Sequence, residues 1–104
     1  MGKSNGGKPL YLDPKRPIEK RVEDLLRRMT MEEKIGQMTQ HTRGDNLAQL
    51  RDLLRAGRLG SVMNVTDPAE IAELLALARS SRSGIPVIFG LDVIHGYRTM
   101  FPVP

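Results

Sequence analysis

The residues best equipped for chemistry lie close together near the end of the sequence, in IPVIFGLDVIHGYRTMFPVP. The strand-forming run PVIFGL leads directly into Asp92, and His95, Tyr97 and Arg98 follow on the same expected loop. A carboxylate just past an apolar strand is costly to bury unless it meets hydrogen-bond donors, from the protein or from a polar ligand. A sugar offers adjacent hydroxyls, and one carboxylate can accept from two of them in a charge-assisted way. A loop aspartate equally serves to cap the next turn through its side chain, and position alone leaves both roles open. His95 has the chemistry to bind ligand or carry a proton. With no partner in view, we read it as a packed residue holding its loop by one hydrogen bond. Arg98 either pairs with a carboxylate elsewhere in a larger protein or is solvated. His41, expected just after an earlier strand, poses the same alternatives on weaker grounds. The two glycines of GLDVIHG do not make the GxGxxG phosphate fingerprint, so a dinucleotide site is not expected.

The elements that must position these residues can be read from periodicity and caps. Residues 1–10 are expected to be a disordered basic leader by composition, and YLDPKRP an extended, turn-prone passage. Pro17 is placed in the first turn of a helix whose apolar stripe is Ile18, Val22, Leu25, Leu26 and Met29. Thr30 and Glu33 have capping-box spacing, which starts a second short helix. Gly36 is expected to interrupt it, with a strand near Gln37 to His41. Asp45 or Asn46 caps a third helix carrying Leu47, Leu50, Leu53 and Leu54, with Gly57 as its stop. LGSVMNV reads as a short strand. Asp67-Pro68-Ala69-Glu70, following Thr66, opens a helix that buries Ile71, Leu74, Leu75 and Ala78. IPVIFGLD is then a buried strand running into a loop. Helix and strand alternate with short connections from Leu47 onward, which predicts an α/β fold with a parallel sheet. In such folds function gathers at the carboxyl ends of the strands, where Asp92 is expected.

Composition narrows the chemistry further. The chain has 104 residues, 39% of them hydrophobic, 27% charged and only 4% aromatic, so its core must be aliphatic. That length holds one small domain. There is no cysteine and there are two histidines, which excludes disulfides and thiolate chemistry and argues against a metal site. No cofactor is expected. No apolar run reaches the length of a membrane span, and the N-terminus lacks the apolar core of an export signal. No membrane partner is therefore expected, and localisation is left open. The formal net charge is +4, with many of the cations early in the chain. Clustered Lys and Arg can neutralise phosphate, but here they alternate with Glu19, Glu23 and Asp24 along a helical face. We read that face as solvated and expect no nucleic-acid partner.

RVEDLLRRMTMEEKIGQM, then GSVMNV, then IPVIFGLDVIHGYRTMFPVP together resemble the N-terminal domain of glycoside hydrolase family 3, of the β-glucosidase and exo-β-glucanase type. The resemblance covers 11–104 in order. It implies that these residues are the first βα elements of a (β/α)8 barrel, which takes about 250 residues in all. It implies a retaining mechanism, in which one carboxylate attacks the anomeric carbon and a second acts as acid and then base. Neither reacting carboxylate falls in this sequence, so no catalytic residue is assigned here. Asp92, within GLDVIHG, matches the family's aspartate that binds hydroxyls of the non-reducing glucosyl unit. The expected partner is thus a β-glucoside or β-gluco-oligosaccharide. The ending at Pro104 reads as a fragment of a longer enzyme, by itself inactive, with open sheet edges that invite self-association. The alternative expectation is a non-catalytic interaction or regulatory module built on the same fold.

Overall fold

The computed structural model of the protein describes residues 8–93. The described residues open with a 3-10 turn at Leu10–Leu12 and continue through α1 (Ile18–Arg28), α2 (Met31–Gln37), β1 (Gln40–Thr42), α3 (Leu47–Arg55), β2 (Ser61–Met63), α4 (Pro68–Arg79) and β3 (Ile88–Gly90). The three strands form a parallel sheet in the order β1-β2-β3. The expected α/β class is observed.

Local chemistry explains most of the boundaries. Thr30 and Glu33 form a reciprocal capping box, the Glu33 N–H donating to Thr30 Oγ1 at 3.1 Å and the Thr30 N–H to Glu33 Oε1 at 2.9 Å. The α3 helix ends in a Schellman motif, in which Arg58 N–H bonds Leu53 O and Gly57 N–H bonds Leu54 O. Gly57 takes the left-handed φ of +73° that this ending requires. At α4, Asp67 is the N-cap, accepting from Ala69 N–H at 3.2 Å, and Pro68 occupies the first turn, where its missing N–H costs nothing.

The core forms where α3 and α4 meet the sheet. Leu50 and Leu54 from α3, Leu74 and Ala78 from α4, and Val62 from β2 are buried, together with the flanking Leu59, Val65 and Val87. Each fully buried Leu or Val contributes about 1.5–3 kcal/mol relative to exposure. Val62 is paired in register with Phe89, and neighbouring strands point paired residues to the same side, so both meet the helices. On the other face, Gln40, Thr42 and Ile88 are exposed.

Several expectations are corrected. The α2 helix runs through Gly36 to Gln37, and β1 starts only at Gln40. Gly36 does not break the helix because its missing side chain serves a tertiary contact: a Cβ there would lie 2.6 Å from Arg58 Cα. Gly60 is the second such point, with Gln37 O only 2.3 Å from where its Cβ would stand. Pro17 is the N-cap of α1, one residue ahead of its expected place. Asn46 holds the N-cap of α3 without a side-chain bond, because its ψ of 43° leaves the extended region that a capping side chain needs. The stripe on α1 is largely uncovered: Ile18 is 71% exposed, Val22 and Leu26 are about half exposed, and only Met29, just past the helix, is buried. Ile88 in β3 is likewise 71% exposed, because no described element lies against its face of the sheet.

Polar links add to the buried Met29 and the close approach at Gly36 in holding α1 and α2 in place. Asp24 is not on a solvated face. It is buried and accepts from Tyr11 N–H at 3.0 Å and from Arg28 Nε at 2.9 Å. The Tyr11 hydroxyl donates to Ser83 O at 2.7 Å. Glu33, also buried, accepts from Arg82 Nε at 3.0 Å and from Arg82 Nη2, which in turn donates to Arg28 O at 2.8 Å. Arg82 and Ser83 precede β3, so these links fasten the helical pair to the amino end of the sheet.

Two outcomes are expected from this arrangement. Gly36→Ala and Gly60→Ala should each destabilise the fold by about 1–3 kcal/mol in urea denaturation, since backbone must move to admit the methyl group. A wild-type stability in either variant would contradict the close approach. The second outcome concerns acid. The Arg82 guanidinium hydrogen-bonded to Glu33 holds that carboxyl below its ordinary value. Burial pushes Asp24 up, but the bonds from Arg28 and Tyr11 outweigh it and the net shift is downward. A depressed folded-state pKa gives stability that is present above the unfolded value and lost as pH falls through the folded one. Unfolding free energy should thus be flat near neutrality and decline below about pH 4. In Glu33→Gln the decline should be shallower; an identical acid slope would show that Glu33 does not contribute.

Candidate functional site

Parallel pairing brings the carboxyl ends of all three strands to one edge, and the loops that follow them share it. The loop after β1 starts with Arg43, the loop after β2 with Asn64, and the loop after β3 carries Asp92. Backbone bonds continue the ladder past the strands: Arg43 N–H donates to Met63 O at 3.0 Å, and Asn64 N–H to Gly90 O at 2.8 Å. Asp92 stands at the carboxyl end of β3, where the sequence places it, and it is exposed. Its backbone N–H donates to Asn64 Oδ1 at 3.1 Å.

Two further residues shape this edge and were not singled out from the sequence. Arg43 makes a bidentate pair with Glu70, Nε to Oε1 at 3.0 Å and Nη2 to Oε2 at 2.7 Å, and its Nη1 donates to Gly44 O at 2.6 Å. The Arg43 hydrogen bonds hold the Glu70 carboxyl below its ordinary range, and Glu70 in turn raises Arg43. This fork ties the β1–α3 loop to the first turn of α4. No local pattern announces a pair 27 residues apart. Asn64 carries a weak signal, since an Asn just past a strand is among the few side chains that tolerate a left-handed backbone. Its φ of +71° makes it the single non-glycine residue with positive φ among the described residues.

His41 lies elsewhere. It is inside β1, not after it, and is half-buried. It pairs in register with Val62, a core residue, so it points to the helical side of the sheet rather than to the edge where Asp92 stands. His95, Tyr97 and Arg98 fall outside the described residues. Among those described, no group of His, Cys, Asp or Glu is placed to hold a metal ion, and no helix is long and apolar enough to cross a membrane.

This edge presents an exposed aspartate, a hydrogen-bond acceptor, on a loop held through its own backbone N–H. Comparison with known proteins points to one class. The chain is 38% identical to the periplasmic β-glucosidase of Salmonella typhimurium over 79% of its own length, which is 11% of that protein. It is 30% identical to the probable β-glucosidase C of Aspergillus oryzae, covering 93% of this chain and 18% of the relative. The similarly named protein of Aspergillus flavus is 29% identical over the same shares. No family model matches. The chain thus spans between a tenth and a fifth of the length of these relatives. It is a homologue of a segment of β-glucosidases, which are glycoside hydrolases, as its motifs led us to expect.

Proposed function

We propose that this chain supplies the first βα units of a (β/α)8 barrel in a retaining β-glucosidase of glycoside hydrolase family 3, and that Asp92 binds hydroxyls of the non-reducing glucosyl unit. The observation that carries the reading is the place of Asp92. It follows a parallel strand at the carboxyl edge of the sheet, in a chain homologous to β-glucosidases. In barrel enzymes the substrate is met at that edge, while the amino end serves stability. The network of Tyr11, Asp24, Glu33 and Arg82 at the opposite end fits that division.

The topology supports the barrel. Crossovers between parallel strands are right-handed. With the strands in sequential order, every crossover helix must then fall on the same side of the sheet. Here α3 and α4 both pack on the Val62 and Phe89 side, while Gln40, Thr42 and Ile88 are exposed on the other. A doubly wound sheet reverses its strand order to cover both faces; the three described strands run in sequence without a reversal, as barrel strands do. On this reading the exposed face is the inner wall of the barrel.

Asp92 is a binding residue in this scheme. As a carboxylate it accepts from two neighbouring sugar hydroxyls and fixes the glucosyl ring relative to the reacting pair of carboxylates, which the remainder of the enzyme provides. Hydrogen bonds to a charged group are worth about 1.5–3 kcal/mol each. In the full-length enzyme, Asp92→Ala is therefore expected to lower kcat/KM for 4-nitrophenyl β-D-glucoside by at least roughly a hundredfold. It should also weaken inhibition by glucose. Unchanged values for both would refute the assignment. Residues 1–104 alone should release no 4-nitrophenol above the protein-free rate, and turnover that depends on Asp92 would refute the division of labour.

A further inference from the structure

We infer that Asn64 is a positioning residue for Asp92, setting the place from which that carboxylate reaches the sugar. The inference rests on the assignment of Asp92 as a substrate-binding residue and extends it to a second loop. Three observations carry it. Asn64 is, among the described residues, the non-glycine residue held in the left-handed region, at φ +71°. Its backbone N–H closes the ladder on Gly90 O at 2.8 Å, so it is fixed to the last residue of β3. Its side-chain Oδ1 then accepts the Asp92 N–H at 3.1 Å, across 28 residues of sequence.

Together these bonds make a clasp. Backbone and side chain of one residue hold β3 on both sides of Leu91, so the chain between Gly90 and Asp92 has two fixed points. The Cα of Asp92 becomes a defined pivot for its carboxylate. A left-handed backbone is ordinarily glycine's position. Glycine here would make the same turn and the same bond to Gly90 but could not accept from Asp92. Asparagine is one of the few residues that supplies both the conformation and the acceptor.

That difference defines the test. In the full-length enzyme, Asn64→Gly keeps the left-handed turn and removes only the acceptor. With 4-nitrophenyl β-D-glucoside, KM should rise roughly fivefold to tenfold, the scale of one net hydrogen bond, while kcat stays within about twofold. Hydrogen exchange should show a faster Asp92 amide in the variant, with the Leu50 and Leu74 amides unchanged. An unchanged KM in Asn64→Gly, alongside a raised KM in Asp92→Ala, would overturn the positioning role and leave the Asp92 assignment standing. An unchanged KM in Asp92→Ala would overturn the assignment itself, and with it this inference. Equal losses of kcat and thermal midpoint in Asn64→Gly, without a change in KM, would reduce Asn64 to a structural turn residue.

Discussion

The carboxylate of Glu33 is the interaction on which the placement of the first two helices against the sheet depends. It is buried, yet it meets three donors: the Thr30 N–H that completes the cap of α2 and two nitrogens of Arg82. A buried carboxylate short of donors is strongly destabilising; one that is fully used becomes a fixed point. Its importance follows from what is missing around it. The buried apolar cluster is built by α3, α4 and the sheet, and neither α1 nor α2 contributes a residue to it. Without Glu33 and Asp24, the first two helices would be left with the backbone approach at Gly36 and Gly60, the Tyr11 hydroxyl bond and the buried Met29 to place them.

The two ends of the sheet are accordingly built on different principles. At the amino end, backbone meets backbone at Gly36 and Gly60, and charged side chains are enclosed and paired. At the carboxyl end, loops are joined to one another by single bonds and one fork, and the carboxylate of Asp92 stands exposed. A rigid base beneath a set of cross-linked but accessible loops is what the role proposed for Asp92 requires, since specificity is lost when the supporting shell is loose.

Much of this was legible in the sequence because its causes are local. The capping box at Thr30 and Glu33, the left-handed stop at Gly57 and the Asp67-Pro68 start each involve partners a few residues apart. Strand alternation and short loops implied the parallel sheet, and with it the placement of Asp92. The misreadings came from what local pattern leaves out. The stripe of Ile18, Val22 and Leu26 has helical periodicity, but periodicity states a capacity for burial and names no partner; all three residues are exposed. Asp24 reads as one charge among many until Tyr11 closes over it. Gly36 reads as a break, when its role is to let another segment's backbone approach. Arg43 with Glu70, and Asn64 with Asp92, are decided by register between strands, which no single segment contains.

The long reach of the amino-end links bears on the order of assembly. Glu33 waits for Arg82 across 49 residues, and Tyr11 for Ser83 across 72. Closing such loops costs entropy that must be met before the contact is gained. During synthesis at roughly 5–20 residues per second, the first helices would emerge several seconds before their anchors exist. The βα core, whose contacts are nearer in sequence, can form without them. The loop-closure argument thus predicts that the amino-terminal helices act as latches, shut last, over a sheet that is already in place.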